Sequence, residues 1–179
     1  MSKLAQVYAQ GLYSLALEEN LTGPILQEMT ALQQAFSQEP MFLRLLSAPN
    51  VNLAERVKII DDSFRGKVQP YLLNFLKLLT EKGYIRRFSD CCAAYRNQYN
   101  DDNGILPVRA VTAVPLSEEQ SQKLREKLTQ LTGKTVELHN RVDPEVLGGV
   151  RLDYDGMRVD GTVKNRLDAI RGLLHNTVI

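Results

Sequence analysis

In the stretch NDDNGILPVRAVTAV, residues 100–114 of this 179-residue chain, helix-like spacing of apolar residues gives way to strand-like alternation. The polar cluster ends at Gly104, and glycine commonly ends a helix because it adopts left-handed backbone angles without steric penalty. After it, Val108, Ala110, Thr112 and Val114 share one face of a strand with a period of two. We therefore predict an α+β fold with a boundary near Gly104, which separates a helical domain over residues 1–104 from a small α/β domain over residues 105–179.

Ahead of this boundary, apolar residues recur at steps of three and four, which is the spacing of amphipathic helices. Proline and glycine residues, such as Pro40 and Gly83, mark the points at which one helix begins or another ends. The pattern predicts a bundle of six helices over about residues 4–20, 22–38, 40–46, 52–63, 68–82 and 85–100. The fifth is apolar over more than one narrow stripe, so it is either the central helix of the bundle or an adhesive surface.

Beyond the first strand, Ser117 and Gln120 form a capping box for a helix that ends at Gly133. Its predicted apolar face consists of Leu124, Leu128 and Leu131. Three further strands are expected over about residues 135–142, 150–153 and 157–159, with Asp155-Gly156 as a hairpin turn. A last helix, capped within residues 160–162, completes a mixed sheet of about four strands with two helices.

The charge of the chain argues against a nucleic-acid partner, because 22 Lys and Arg residues against 21 Asp and Glu residues leave a net charge of only +1. Cys91 and Cys92 are adjacent within a predicted helix, where a disulfide between them is geometrically excluded. The amino end lacks the pattern of a signal peptide, and no stretch approaches the roughly 20 apolar residues that span a bilayer. We expect a soluble, cytoplasmic protein without direct membrane insertion.

The strongest catalytic candidate is the strand that ends in Asp153-Tyr154-Asp155-Gly156, which resembles the nucleophile motif of haloacid-dehalogenase-type phosphatases. The phosphate-binding and Mg²⁺-binding residues of such enzymes do not fit into the 24 residues that follow Asp155, so a β-hairpin is the preferred interpretation. His139 and His175 lie far apart in sequence, without an obvious Cys or Ser nucleophile constellation. We expect neither catalytic residues, nor a metal site, nor a cofactor.

Two segments near the carboxyl end carry a family resemblance: Val142-Asp143-Pro144-Glu145-Val146-Leu147-Gly148-Gly149-Val150 and Val159-Asp160-Gly161-Thr162-Val163, followed by Arg166-Leu167. Val7-Tyr8-Ala9 and Glu81-Lys82-Gly83-Tyr84-Ile85 add weaker support. With these residues the chain resembles the delta subunit of bacterial F-type ATP synthase, the counterpart of the mitochondrial oligomycin-sensitivity-conferring protein. The signature residues are Asp143, Pro144, Gly148, Gly149, Asp160, Gly161, Thr162 and Leu167.

The resemblance implies a non-catalytic stator subunit, present in one copy per complex at the cytoplasmic face of the bacterial cell membrane. Its helical domain would bind the amino-terminal helix of an alpha subunit of the catalytic head, and its α/β domain the b subunits of the peripheral stalk, in support of proton-driven ATP synthesis. By analogy a groove lies between the first and fifth helices, with anchors that could equally be ordinary core residues: Tyr8, Leu12, Leu72, Phe75, Leu76 and Leu79. The alternative function is a small cytoplasmic RNA-binding adaptor that uses the α/β domain and the basic cluster Lys82, Arg86 and Arg87.

Overall fold

A computed structural model describes residues 3–146 and 148–162 of the chain. These residues form seven α-helices and a four-stranded mixed sheet, which confirms the α+β class. By its tertiary contacts the chain divides into two compact units, residues 1–99 and 100–179. Each unit has a hydrophobic core of its own.

Six of the helices precede the first strand. They are α1 (Lys3–Glu18), α2 (Thr22–Gln38), α3 (Pro40–Leu46), α4 (Leu53–Phe64), α5 (Pro70–Glu81) and α6 (Phe88–Asp102), with a 3₁₀ turn over Ile85–Arg87. Local chemistry explains several of the ends. Pro40 and Pro70 stand at the first positions of α3 and α5, where the missing N–H of proline costs no hydrogen bond. Asn52 caps α4 by accepting a hydrogen bond from the backbone N–H of Ala54 at 3.2 Å.

The core of the helical unit is formed by side chains from all six helices. Phe36 on α2 lies at an aromatic cluster, with its ring centroid 5.3 Å from that of Phe88 and 5.8 Å from that of Phe42. From α5, the side chains of Leu72, Leu76 and Leu79 are completely buried. The fifth helix is therefore central, as one of the two interpretations of its sequence required.

The second unit contains β1 (Ile105–Thr112), α7 (Glu118–Thr132), β2 (Thr135–Val142), β3 (Val150–Tyr154) and β4 (Met157–Asp160). The strand order is β2-β1-β3-β4, with β1 parallel to β2 and antiparallel to β3. Both hydrogen bonds of the predicted capping box begin α7: Ser117 N–H donates to Gln120 Oε1 at 3.0 Å, and Gln120 N–H donates to Ser117 Oγ at 3.2 Å. Gly133 ends α7 with a φ of 67°, in the left-handed region that glycine favours.

Two residues of this unit are exposed although the sequence pattern places them on apolar faces. Val114 is 69% exposed, because β1 ends at Thr112, whose hydroxyl donates to the Val114 carbonyl as the chain leaves the sheet. Leu131 is 81% exposed and lies in the last turn of α7, one residue before the helix ends at Thr132. The predicted last helix and Leu167 lie outside the described residues.

Candidate interaction groove

An apolar groove with a volume of about 540 Å³ runs between α1 and α5. The two helices are antiparallel: the ring of Tyr8 packs edge-on against that of Tyr84, just after the end of α5, whereas Tyr71 at the start of α5 lies beside Glu19. The groove is lined by Val7, Tyr8, Gly11, Leu12, Leu15, Tyr71, Asn74, Phe75 and Leu78. Its length suits about two turns of a helix, because Val7 and Leu15 are eight residues apart on α1.

The groove changes the set of anchors that the sequence predicts. Tyr8, Leu12 and Phe75 line it. Leu72, Leu76 and Leu79 do not, because their side chains point into the core of the helical unit and are fully buried. The prediction failed for these three residues because α5 is apolar on two sides, one facing the core and the other facing the groove.

Sequence reasoning missed the exposed part of the groove. Val7 and Leu15 are 63% and 47% exposed, and Leu78 on α5 is 38% exposed. A signal was available, since Val7, Gly11 and Leu15 recur at steps of four and so share one stripe of α1. Exposed apolar side chains grouped along one groove are typical of interaction surfaces.

Two carboxylates lie near the end of the groove where Tyr71 lines it. The carboxylate of Glu19 accepts a hydrogen bond from the hydroxyl of Tyr71, which raises the pKa of Tyr71, and the negative charge of Glu18 acts in the same direction. Such a groove suits an amphipathic helix that lays its apolar face between α1 and α5. Either the amino-terminal end of that helix, which carries a partial positive charge, or a basic side chain would lie near Glu18 and Glu19.

A second apolar depression, of about 580 Å³, lies among α2, α3 and α4. Met41 and Leu45 on α3 are 65% and 41% exposed there, above the rings of Phe42 and Phe64. The helical unit thus presents two separate apolar surfaces.

The β3–β4 hairpin explains the apparent phosphatase motif. Asp155 and Gly156 have φ angles of 48° and 73°, and two successive positive φ angles are typical of the type I′ turn of a two-residue hairpin. Asp153 accepts a hydrogen bond from Nε of Arg158 at 2.8 Å, and this bond, with the nearby charge of Arg151, keeps the pKa of Asp153 below its usual value. Asp153 is therefore held in an ion pair and Asp155 forms part of a turn, and both roles are structural.

The two signature segments near the carboxyl end meet in space. A Cβ atom on Gly149 would lie 2.6 Å from the carbonyl oxygen of Gly161, so only glycine fits there, and Gly161 N–H donates to the carbonyl of Val150 at 3.0 Å. Asp160 accepts hydrogen bonds from both the backbone N–H and the hydroxyl of Thr162, which lower the pKa of Asp160.

The signature residues of the preceding loop also act locally. The carboxylate of Asp143 accepts a hydrogen bond from the N–H of Glu145 at 3.1 Å, across the turn that contains Pro144. The backbone N–H of Asp143 donates to the carbonyl of Thr112, which ties the start of this loop to the end of β1. The described signature residues thus shape the backbone of the α/β unit.

The basic cluster is largely engaged within the chain. Nε of Arg86 donates to the hydroxyl of Ser47 at 2.7 Å, and Arg87 lies 3.5 Å from the carboxylate of Asp90. Within residues 3–146 and 148–162, no three His, Cys, Asp or Glu side chains are grouped so as to hold a metal ion. No helix of this described part is long and apolar enough to cross a membrane.

Fold and surface together define an α+β protein of two compact units, with an apolar groove between two helices of the first. The family model of the ATP synthase delta (OSCP) subunit matches residues 4–174. The chain belongs to this family.

Similar proteins extend over almost the whole chain. "ATP synthase subunit delta" of Desulfitobacterium hafniense (strain Y51) is 33% identical over 168 residues, which are 94% of each protein. The protein of the same name from Gloeobacter violaceus (strain ATCC 29082 / PCC 7421) is 34% identical over 169 residues, 92% of this chain and 90% of that one. A chain in the Toxoplasma gondii mitochondrial ATP synthase hexamer superimposes with a TM-score of 0.77 at 19% identity, over 97% of this chain and 98% of that one. That last similarity shows a shared fold.

Proposed function

We propose that this protein is the delta subunit of an F-type ATP synthase and acts as a non-catalytic connector between the catalytic head and the peripheral stalk. The subunit would be present in one copy per complex, bound peripherally at the cytoplasmic face of the cell membrane, and would support ATP synthesis coupled to hydrogen ion transport. Family membership and the names of the similar proteins support this proposal.

The observation that carries the proposal is the groove between α1 and α5 in the six-helix bundle. Its occupant would be the amino-terminal helix of an alpha subunit, whose apolar face would cover Val7, Leu15 and Leu78. Three anchors of this size contribute roughly 5–9 kcal/mol before the cost of association is subtracted. Such a groove by itself gives only a moderately tight complex.

The α/β unit would bind the end of the b subunits. Two contacts carried by one chain raise the effective concentration of each partner at its own site, so that a stator can withstand torque although neither contact is very strong. Separate expression of the two halves should then fail to restore coupled ATP synthesis to complexes that lack this subunit. Full recovery by the separated halves would contradict the connector function.

Titration of the full chain with a peptide of the alpha amino terminus tests the groove. We expect saturable helix formation by circular dichroism, and a loss of affinity of at least about 10-fold in Leu15→Asp, because an apolar anchor is replaced by a charge. The matched control is Leu17→Asp: Leu17 is also on α1 and is 56% exposed, but it does not line the groove. Equal binding by wild type and Leu15→Asp, or equal losses in both variants, would count against the groove.

A further inference from the structure

Gly11 stands in the interior of α1, where glycine destabilises a helix relative to alanine. Two common reasons for a glycine are missing at this position. Its φ angle is not in the left-handed region, and a Cβ atom built on it would meet no atom of the described chain within 4 Å apart from its chain neighbours and the adjacent backbone of α1. Neither the backbone conformation nor packing within the described chain requires glycine here.

The surroundings of Gly11 supply a different reason. It lies on the wall of the α1–α5 groove, midway between Val7 and Leu15, which are four residues away on either side and are 63% and 47% exposed. The absent side chain leaves a notch between two apolar side chains. A second helix can come closer to the backbone at a glycine than at any other type of residue, because glycine has no Cβ to separate the two backbones.

We propose that Gly11 is the point of closest approach between α1 and the bound helix, and that it selects an amphipathic helix with a large apolar side chain in the notch between Val7 and Leu15. The occupant is the helix assigned to this groove under the proposed function, on which this inference rests. Glu18 and Glu19 near one end of the groove favour a partner helix whose positive amino-terminal end lies there.

Substitutions at Gly11 separate the stability of the fold from binding. Gly11→Ala should raise the melting temperature of the free protein, since helix propensity improves and nothing is crowded, while affinity for the alpha amino-terminal peptide falls about 10-fold. Gly11→Leu fills the notch and should weaken binding about 100-fold or more with a native circular dichroism spectrum. The control is Ser14→Leu, an exposed position of α1 outside the groove, which should bind as wild type does.

Three outcomes would overturn the inference. Binding by Gly11→Ala and Gly11→Leu within about twofold of wild type, while Leu15→Asp still fails, would remove the special role of Gly11 but leave the groove intact. Unchanged binding in all of these variants would refute the proposed function of the groove itself. Self-association of the wild-type chain that the peptide cannot displace, and that Gly11→Leu abolishes, would identify a second copy as the occupant.

Discussion

The α-carbon of Gly149 lies against the backbone of Gly161, so closely that a Cβ at Gly149 would be 2.6 Å from the Gly161 carbonyl oxygen and 2.9 Å from the α-carbon of Thr162. Gly149 also has a φ of 83°, which side-chain-bearing residues adopt at a cost. The backbone around Gly161 cannot retreat easily, because Gly161 N–H is hydrogen-bonded to the carbonyl of Val150. The close packing of the segment around Gly149 on the segment around Gly161 thus requires a glycine at position 149.

Gly149→Ala should therefore lower the free energy of unfolding by about 2 kcal/mol or more, through backbone strain and displacement of the Gly161 segment. Gly156→Ala is the matched control, because its φ is 73° but a Cβ there meets no atom within 4 Å. Strain alone should cost this control about 1 kcal/mol. Urea denaturation of the full chain compares the two, and equal losses would show that the close contact with Gly161 has no energetic weight.

Much of the fold could be predicted because the ends of its helices are determined by local chemistry. The capping box of Ser117, the prolines that begin α3 and α5, and the left-handed Gly133 all act within a few residues of themselves. Such signals need no knowledge of the rest of the chain. Leu131 is the contrasting case: the sequence predicts its helix, but the burial of its side chain depends on tertiary packing, which local signals do not specify.

The groove could be predicted only in part, for a related reason. Periodicity locates the apolar positions of α5 but cannot tell which of them face the core when both sides of the helix are apolar. Leu76 and Leu78 look equivalent in sequence, yet the first is fully buried and the second is 38% exposed. Gly11 adds no apolar side chain to the pattern, and only its steps of four from Val7 and Leu15 place it on their stripe.

Acid should weaken the helical unit through Asp61, whose carboxylate pairs with Lys77 and with Arg65. The hydrogen bond from Lys77, then that from Arg65, lowers the pKa of Asp61 below its ordinary value of 3.8. A carboxylate with a depressed pKa stabilises the fold above its unfolded-state pKa, and the contribution is lost as the pH falls through the folded-state pKa.

Asp61→Asn should consequently be less stable than wild type at pH 7, and the difference should diminish as the pH falls through the lowered pKa of Asp61. Urea unfolding of both proteins at several pH values measures this. The neighbouring Asp62→Asn serves as control, since Asp62 is exposed and has no ion pair among the described residues. A stability difference for Asp61→Asn that does not change with pH would contradict the ion-pair explanation.

The two thiols should be inert in the native protein. Cys91 and Cys92 are buried in α6, and burial raises the pKa of Cys91 to about 11 and that of Cys92 to about 12. At pH 8 the reactive thiolate is then a fraction of about one in a thousand or less. We expect both thiols to react slowly with Ellman's reagent in buffer and rapidly in guanidinium chloride. Single Cys→Ser variants assign each phase, and rapid labelling of either thiol under native conditions would contradict its burial.

Tyr95 joins α6 to the beginning of α2, because its hydroxyl donates a hydrogen bond to the carbonyl of Thr22 at 3.1 Å. Its ring is buried and packs edge-on against the ring of Tyr13, with centroids 5.1 Å apart. Tyr95→Phe keeps this ring contact and removes only the hydroxyl, so we expect a loss of about 1 kcal/mol in the free energy of unfolding. Tyr84→Phe is the control, since the Tyr84 hydroxyl has no hydrogen bond within the described residues and its removal should change stability little. Equal unfolding midpoints for wild type and Tyr95→Phe in urea would show that water satisfies the Thr22 carbonyl equally well, and that the link between α6 and α2 rests on ring packing alone.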